Sequence, residues 1–293
     1  MIPLSLVKHI ESALTEISGK ADRIRSCVSI GGGSINEACK IEWANAYYFL
    51  KWNAVERFPK MFEVEAIGLR QLKAMNTISI PDVLKIGESE TEAFILMEYI
   101  AQSSSDKLFW EAFGRQLAEL HQNTNDHYGN DYNNYIGSLP QSNVTHERWP
   151  DFFVMERLVP LVKMARDGER ISQNQAMRFD KLYTKIESIF PPEKPAFLHG
   201  DLWSGNFLCN ANGLPVLIDP AVYYGHREMD IAMTKLFGGF DTLFYDVYNQ
   251  HFPLEKDWKK RIDLCNLYPL LVHLNLFGSS YLSDIESTLR HFV

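Results

Sequence analysis

Apolar residues recur at helical spacing near the start of the chain and again over much of its second half. Residues 4–18 predict an opening helix, because the apolar positions within it are spaced to share one face. Three later stripes with the same spacing predict further helices. The four stripes are Leu6, Ile10, Leu14 and Ile17; Phe109, Phe113, Leu117 and Leu120; Phe179, Leu182, Tyr183 and Ile186; and Leu267, Leu270, Leu271 and Leu274.

Strand-like patterns are concentrated in the first hundred residues. Residues 38–43 and 46–52 are β-prone runs on either side of Ala44 and Asn45, which predicts a hairpin. Between this hairpin and residue 100, the pattern predicts one helix over residues 63–72 and one short buried strand over residues 94–99. Two more short apolar runs, 196–198 and 214–218, each end in a loop that carries an aspartate.

This distribution predicts an α+β protein with two parts. A small β-rich N-terminal part covers residues 1–100, and a larger, mainly helical part covers residues 101–293. The polar stretch 101–106 marks the change, since it reads as a linker followed by a helix cap.

Composition narrows the classes of function. The chain has 293 residues, of which 46% are hydrophobic and 23% charged, so it can bury a sizeable core. A net charge of −8 disfavours broad nucleic-acid binding. The sequence has no apolar run of the roughly 20 residues that would span a membrane, and its first residues do not resemble a signal peptide.

The four cysteines include no C-x-x-C pair, which predicts free thiols and a cytoplasmic location. We expect a monomer or weak dimer whose partner is a small molecule, with no nucleic-acid or membrane partner.

The motif HGDLWSGN at residues 199–206 carries the strongest chemical signal. It fits the kinase catalytic-loop pattern H-x-D-L-x-x-x-N, in which the aspartate faces the substrate hydroxyl and the asparagine holds a metal ion. Asp219 follows at the end of the apolar run 214–218, and a hairpin there would bring it close to Asn206. The pattern therefore predicts Mg²⁺- and ATP-dependent phosphoryl transfer, with Asp201 as the catalytic base and Asn206 and Asp219 as metal ligands.

The N-terminal part supplies candidates for nucleotide binding. Gly31, Gly32, Gly33 and Ser34 form a glycine-rich run whose backbone amides could approach phosphates, although the run is not a P-loop motif. Lys51 closes the aromatic strand that follows, in a place suited to contacting the α- and β-phosphates.

A helix glutamate would orient Lys51. We prefer Glu65 from the motif context and keep Glu63 as the alternative. The two residues lie about 200° apart around the helix axis, so only one of them can face the lysine. Extended backbone at the end of the strand over residues 94–99 offers carbonyl and amide groups to adenine, which makes Glu98 and Ile100 candidate contacts.

Other polar and aromatic residues admit two interpretations. His121 ends an apolar stripe, where a structural role is the better interpretation. Asp230 either accepts hydrogen bonds from the catalytic loop or caps a helix. The aromatic residues of the segment 149–153 form either an acceptor-sugar platform or ordinary core; they are Trp149, Phe152 and Phe153.

Several segments together resemble the fructosamine kinase (ketosamine-3-kinase) family, which belongs to the aminoglycoside-phosphotransferase-like group with a protein-kinase-like fold. The resemblance covers the whole chain, and its most specific part is the sequence DLWSGN at residues 201–206. The other similar segments are IDPA at 218–221, YGHREMD at 224–230, GGGSIN at 31–36, MFEVEA at 61–66, YIGSLPQ at 135–141 and LNLFGSSYL at 274–282.

The resemblance implies a two-lobed kinase-like fold and phosphorylation of a sugar hydroxyl on a fructosamine or ribulosamine, which would initiate deglycation. It also implies that Asp201 is the base, that Asn206 and Asp219 bind Mg²⁺, and that Lys51 with Glu65 positions ATP. Trp203, His226 and Arg227 become candidate substrate contacts. Members of the family often carry a cysteine in the glycine-rich loop, where this chain has Ser34, so regulation through a disulfide in that loop is doubtful.

Three alternatives stay open on the sequence. An aminoglycoside, choline or homoserine kinase would share the same aspartate and asparagine chemistry. A protein kinase is disfavoured because Asp219 is followed by Pro220 and Ala221 rather than Phe-Gly, and no Ala-Pro-Glu occurs. A non-catalytic nucleotide-binding protein is disfavoured because every candidate ligand is present.

Overall fold

A computed structural model describes residues 2–31 and 35–293 of the chain. The strands are β1 (Ser26–Ser29), β2 (Glu37–Trp43), β3 (Ala46–Ala54), β4 (Val83–Glu88), β5 (Glu92–Glu98), β6 (Asn134–Ile136), β7 (Leu139–Gln141), β8 (Ala196–Leu198), β9 (Phe207–Cys209), β10 (Pro215–Leu217) and β11 (Tyr223–Gly225).

The α-helices are α1 (Leu4–Ser18), α2 (Met61–Ala74), α3 (Lys107–His121), α4 (Trp149–Phe152), α5 (Val159–Asp167), α6 (Gln173–Tyr183), α7 (Ile186–Ile189), α8 (Glu228–Leu236), α9 (Thr242–His251), α10 (Trp258–Phe277) and α11 (Leu282–Phe292). A π-helical turn, Phe153–Leu158, joins α4 to α5, and a 3₁₀ turn, Ser279–Tyr281, precedes α11. None of the described helices is both long and apolar enough to cross a membrane.

Two compact units make up the described chain. The first comprises Met1–Ala112 and Gly205–Pro220, and the second comprises Phe113–Ser204 and Ala221–Val293. Helix α3 therefore contributes to both. The division into two parts at residue 100 remains a prediction. By its contacts, the first unit continues to Ala112 and also includes Gly205–Pro220.

The first unit is built on a five-stranded antiparallel sheet in the order β1-β2-β3-β5-β4. The predicted hairpin is confirmed: β2 pairs with β3 through a turn in which Ala44 and Asn45 have φ angles of 48° and 67°. Two positive φ angles in succession match the twist of a two-residue hairpin. Leu6, Ile10 and Leu14 of α1 pack against this sheet, whereas Ile17 is 38% exposed, so the predicted stripe is shorter by one position.

A second hairpin in this unit, β9–β10, places the residues that flank it at one end. Leu217 pairs with Phe207, and the Ile218 amide donates to the Asn206 carbonyl at 3.1 Å. The side chain of Asn210 closes the turn by accepting from the amides of Asn212 and Leu214, at 2.9 and 3.0 Å, as asparagine commonly does in turns. The predicted hairpin between Asn206 and Asp219 is confirmed.

The second unit is mainly helical and contains a large apolar core. Helix α10 runs through this core, with Leu264, Leu267, Leu271 and Leu274 fully buried. The stripe predicted over 179–186 is split between α6 and α7. The aromatic side chains Trp149, Phe152 and Phe153 are 0–3% exposed and belong to this core, which favours the core-packing interpretation over an acceptor platform.

Gly114 of α3 marks a close approach between helices in the second unit. A Cβ atom at this position would lie 2.4 Å from the Phe244 carbonyl oxygen and 3.1 Å from the Tyr248 amide nitrogen. Both atoms belong to the backbone of α9, which cannot yield as a side chain would.

We therefore expect Gly114→Ala to destabilise the protein by about 1–3 kcal/mol through overpacking, despite the higher helix propensity of alanine. The measurement is the urea unfolding midpoint. Arg115→Ala on the exposed face of the same helix is the matched control and should stay within about 0.5 kcal/mol. Equal stability of the two variants would contradict the close approach.

Candidate active site

A buried lysine with two carboxylate partners lies in the first unit. Lys51 of β3 is 5% exposed, and its Nζ donates to Glu65 Oε1 of α2 at 2.9 Å. The same ammonium group also donates to Oδ1 of Asp219. The predicted choice between Glu65 and Glu63 is decided by this contact, because Glu63 is on the exposed side of the helix.

The charges of this cluster depend on each other. Burial alone lowers the pKa of Lys51, but the carboxylates of Asp219 and Glu65 more than offset it, so the pKa is raised and the lysine stays charged. Burial raises the pKa of Glu65, against the opposing effect of Lys51. A fixed cation of this kind is what the oxygens of a polyphosphate require.

Asp219 has an uncommon backbone conformation. Its φ is +55°, in the left-handed region that residues other than glycine rarely adopt, although asparagine and aspartate are enriched there. Its side chain is 40% exposed, so the oxygen that does not bind Lys51 can accept other ligands. Left-handed residues of this kind cluster at functional sites.

Asn206 and Asp219 suit a magnesium ion by the chemistry of their donors. Carboxylate and amide oxygens are hard ligands, and Mg²⁺ is usually held by one or two such side chains together with substrate phosphates. Within residues 2–31 and 35–293, no cluster of three or more His, Cys, Asp or Glu side chains is placed to hold a metal. A two-residue protein contribution beside a nucleotide is therefore the arrangement that these residues fit.

In the second unit, Asp230 holds the start of the catalytic motif. Its Oδ2 accepts from the His199 amide at 2.8 Å and faces His121 Nε2 at 3.2 Å, while Oδ1 accepts from the Gly200 amide at 2.9 Å. Of the two interpretations of Asp230, the structure supports bonding to the catalytic loop. His121 is fully buried, and its Nδ1 bonds to the Tyr248 hydroxyl at 2.8 Å, in agreement with a structural role.

Burial alone would raise the pKa of the Asp230 carboxyl. The hydrogen bond and charge of His121, with His199 and the Gly200 amide, outweigh that effect and lower the pKa below its ordinary value. The carboxylate is therefore ionised at neutral pH, as an acceptor of three hydrogen bonds must be.

Gly200 is required by the tightness of this turn. Its φ is +83°, and a Cβ atom would lie 2.1 Å from the Ala221 carbonyl oxygen. The Ala221 amide in turn donates to the His199 carbonyl at 2.9 Å. The Asp201 amide donates to His199 Nδ1 at 3.2 Å, which fixes the backbone immediately before the predicted base.

A buried polar network that the sequence did not reveal supports the same segment. The side-chain amide of Gln141 donates to the Ala221 carbonyl at 3.1 Å and to Asn134 Oδ1 at 2.7 Å, and it accepts from the Tyr268 hydroxyl. The one signal in the sequence was that Gln141 ends a segment similar to the family. Nothing in the sequence pairs it with Tyr268, which lies 127 positions away.

The predicted nucleotide residues divide between described and undescribed positions. Gly31 is exposed, with open space around its Cα, whereas Gly32, Gly33 and Ser34 lie outside the described residues. Glu98 is exposed, and its carboxylate accepts from the Asp82 amide at 3.2 Å. The Glu98 amide donates to the Asp82 carbonyl at 2.9 Å, so the Glu98 amide is not open to adenine. Ile100 follows β5 and is half-buried.

The three candidate substrate contacts have different surroundings. Trp203 is partly exposed beside the catalytic motif. His226 is fully buried among aromatic rings, with Phe190 at 5.1 Å between centroids. Arg227 is 3% exposed; it pairs with Glu193 at 2.8 Å and donates to two backbone carbonyls. Burial of His226 and Arg227 favours structural roles over the predicted substrate contacts, whereas Trp203 remains a candidate.

The fold and this set of residues are those of a kinase-like phosphotransferase, and comparison with known proteins agrees. The fructosamine kinase family model matches residues 6–293. A probable ketoamine kinase of Enterococcus faecium is 39% identical over 269 residues, covering 90% of this chain and 94% of that protein. The chloroplastic protein-ribulosamine 3-kinase of Arabidopsis thaliana is 38% identical, covering 97% of this chain and 86% of that protein.

A solved structure gives the same result. The crystal structure of a candidate fructosamine-3-kinase from Haemophilus somnus is similar with a TM-score of 0.88 and 30% identity, covering 97% of this chain and 96% of that one. The chain therefore belongs to the fructosamine kinase family, and it is an ATP-dependent phosphotransferase with an α+β, kinase-like fold.

Asp230→Asn tests the support of the catalytic loop. An amide would place an N–H group against backbone N–H donors, so we expect a loss of about 3 kcal/mol in the free energy of unfolding at pH 7. Asp230 has a lowered pKa in the folded state, so its contribution is present above about pH 4 and is lost as the pH falls through the folded value. The difference from wild type should therefore narrow below about pH 4.

Urea unfolding over a range of pH measures this difference. Asp263→Asn, on the exposed face of α10, is the matched control and should change stability by less than about 0.5 kcal/mol. A stability difference that stayed constant down to pH 2 would mean that Asp230 does not act through its ionised form.

Proposed function

We propose that this chain transfers the γ-phosphoryl group of ATP to a sugar hydroxyl of a ketosamine, a fructosamine or ribulosamine in free or protein-bound form, and so initiates deglycation. The observation that carries the proposal is the contact of Lys51 with both Glu65 and Asp219, found in a chain of the fructosamine kinase family. The contact provides a fixed positive charge for the phosphates of ATP, and membership of the family indicates the class of acceptor.

Lys51 and Glu65 position the nucleotide in this proposal. Glu65 holds the ammonium group in place, and Lys51 stabilises the negative charge on the α- and β-phosphates. Asp219 holds Lys51 in the described structure and would share it with the phosphates when the nucleotide is bound. Because the lysine is already desolvated and charged, little rearrangement of charge is needed on binding.

Asn206 and Asp219 would hold Mg²⁺ with the nucleotide, where the ion neutralises charge on the β- and γ-phosphates. Their position at the same end of the β9–β10 hairpin supports this assignment, since Leu217 pairs with Phe207 and the Ile218 amide donates to the Asn206 carbonyl at 3.1 Å. The hairpin pairing thus brings the backbone of both candidate ligands to one end of the same element.

Asp201 accepts the proton of the acceptor hydroxyl as that oxygen attacks the γ-phosphorus. Asp230 accepts hydrogen bonds from the two backbone amides that precede Asp201, so the backbone before the base is fixed before the substrate binds. A fixed backbone beside Asp201 favours proton transfer, because a catalytic base must lie within hydrogen-bond reach of the proton that it accepts.

The acceptor class distinguishes this proposal from its alternative, another small-molecule kinase of the same fold. Aspartate and asparagine chemistry is common to both, but relatives that share 35–39% identity with this chain are named for ketoamines and ribulosamine. The natural ketosamine and the oligomeric state, expected to be monomer or weak dimer, remain predictions. A cytoplasmic location is proposed on the four free cysteines, which suit a reducing compartment.

A panel of acceptors tests the substrate class. We expect ADP release to be faster with fructosyl-lysine or ribulosyl-lysine than with an aminoglycoside, choline or homoserine at equal concentration. Coupled ADP detection measures the rate, and omission of the acceptor gives the background hydrolysis. Faster turnover of an aminoglycoside would replace the proposed substrate with the alternative.

Asp201→Asn and Asp219→Ala should separate catalysis from nucleotide binding. Loss of the base should lower kcat by roughly 10²–10⁴, with Mg²⁺–nucleotide affinity preserved. Loss of the carboxylate at position 219 should weaken that affinity. Calorimetric titration with Mg²⁺ and a non-hydrolysable ATP analogue measures binding, and steady-state kinetics measures turnover. Full turnover by Asp201→Asn would remove that residue from its role.

A further inference from the structure

An aromatic surface, defined here as Trp203, Phe237, His273, Phe277 and Tyr281, lies in the second unit. Its rings form a chain of contacts in which the centroids of Trp203 and Phe237 are 5.9 Å apart and those of Phe237 and His273 are 4.9 Å apart. His273 then contacts Phe277 at 5.4 Å and Tyr281 at 5.0 Å. The contributing segments are the catalytic motif, the end of α8, the end of α10 and the turn before α11.

Two phenylalanines of this surface are poorly covered. Phe237 is 41% exposed and Phe277 is 50% exposed. Single exposed apolar side chains are ordinary, but a connected group of rings open to solvent beside a functional motif is typical of a binding surface. Neither ring belongs to the buried core of this unit, which contains the leucines of α10.

The aromatic surface is continuous with the motif that carries the predicted base. Trp203 lies two positions after Asp201, and its amide donates to the Asp201 carbonyl at 3.2 Å. The loop after Phe237 approaches the same motif: Gly239 has a φ of +94°, and a Cβ atom there would lie 2.7 Å from Cβ of Ser204. The rings are thus held against the catalytic loop rather than elsewhere on the unit.

The chemistry of these side chains favours a cation. The faces of aromatic rings carry partial negative charge and attract ammonium groups. His273 Nδ1 donates to the Pro269 carbonyl at 2.8 Å, which leaves Nε2 of the neutral ring as an acceptor. Burial lowers the pKa of His273, against the opposing effect of that hydrogen bond, so the ring is neutral at pH 7 and does not repel a cation.

A ketosamine presents such a cation. Its sugar is joined to a secondary amine, which is protonated at neutral pH, and the substituent on that nitrogen extends away from the sugar. We propose that the aromatic surface binds this ammonium group and the first carbons of its substituent, while Trp203 adjoins the sugar. This assignment rests on the proposed function and deepens it, because it makes Phe237 and Phe277 the residues that select an amine-bearing acceptor over a free sugar.

Replacing both phenylalanines by leucine tests the assignment, because leucine keeps an apolar side chain and removes the ring. In the variant with Phe237→Leu and Phe277→Leu, we expect KM for fructosyl-lysine to rise about tenfold, the range of a partly desolvated cation–π contact. The KM for ATP and kcat should change less than twofold. Free fructose, which lacks the amine, should keep its wild-type affinity, measured as turnover or as competitive inhibition.

Two controls accompany this experiment. Met177→Leu removes a different exposed apolar side chain of the same unit, 52% exposed, and should leave every constant unchanged. The single variant Phe277→Leu should show part of the same rise in KM and guards against misfolding of the double variant, with melting temperature as the check.

The outcomes separate the two proposals. An unchanged KM for fructosyl-lysine, or an equal loss of affinity for fructose and fructosyl-lysine, would overturn the role of the aromatic surface while leaving the proposed function intact. Absence of turnover with every ketosamine in the wild-type enzyme would overturn the proposed function itself, and this assignment with it.

Discussion

A single buried carboxylate, that of Asp230, determines the conformation on which the catalytic motif depends. Two consecutive backbone amides, of His199 and Gly200, point at its two oxygens, and the remaining capacity is taken by His121. Consecutive amides that converge on one carboxylate define the path of the chain at that point. Gly200 also passes so close to Ala221 that any Cβ atom would clash with the Ala221 carbonyl, so the same residue serves both the hydrogen bond to Asp230 and the tight turn.

In the first unit the equivalent constraint is charge balance around Lys51. One cation is held between two carboxylates of different exposure: Glu65, whose side chain is 11% exposed, and Asp219, at 40%. The deeper partner is suited to permanent support and the shallower one to exchange with a ligand. Both units thus use a buried ion to set backbone and side-chain positions before substrate binds, which is how preorganised sites lower reaction barriers.

Local patterns were enough to predict much of this architecture. The opening helix follows from apolar spacing, and the β2–β3 turn from its position between two β-prone runs. The angle between helix neighbours shows that only one of Glu63 and Glu65 can face Lys51, and the motif context favours Glu65. Strands β1 and β4 were not predicted, because residues 26–29 and 83–88 lack a strong alternation and depend on pairing with the rest of the sheet.

Burial of polar and aromatic residues was the part that local patterns could not resolve. An arginine such as Arg227 is expected to be exposed on sequence alone. In the structure it is buried because Glu193, 34 positions away, pairs with it. The aromatic cluster of residues 149–153 and the aromatic surface around Phe237 consist of similar residue types, yet the first is buried in the core and the second is partly exposed to solvent. Only the tertiary arrangement distinguishes them, since each depends on contacts far apart in the chain.

The left-handed backbone of Asp219 has a further consequence for which substitutions the position can accept. Most side chains would meet a conformational penalty there, and glycine would relieve it only by discarding the oxygen ligands. Asparagine is the one residue that shares aspartate's tolerance of this conformation and still presents an oxygen. The backbone thus restricts this position to a charged oxygen donor, aspartate, or a neutral one, asparagine. A substitution that keeps both the backbone conformation and the oxygen ligand therefore changes only the charge.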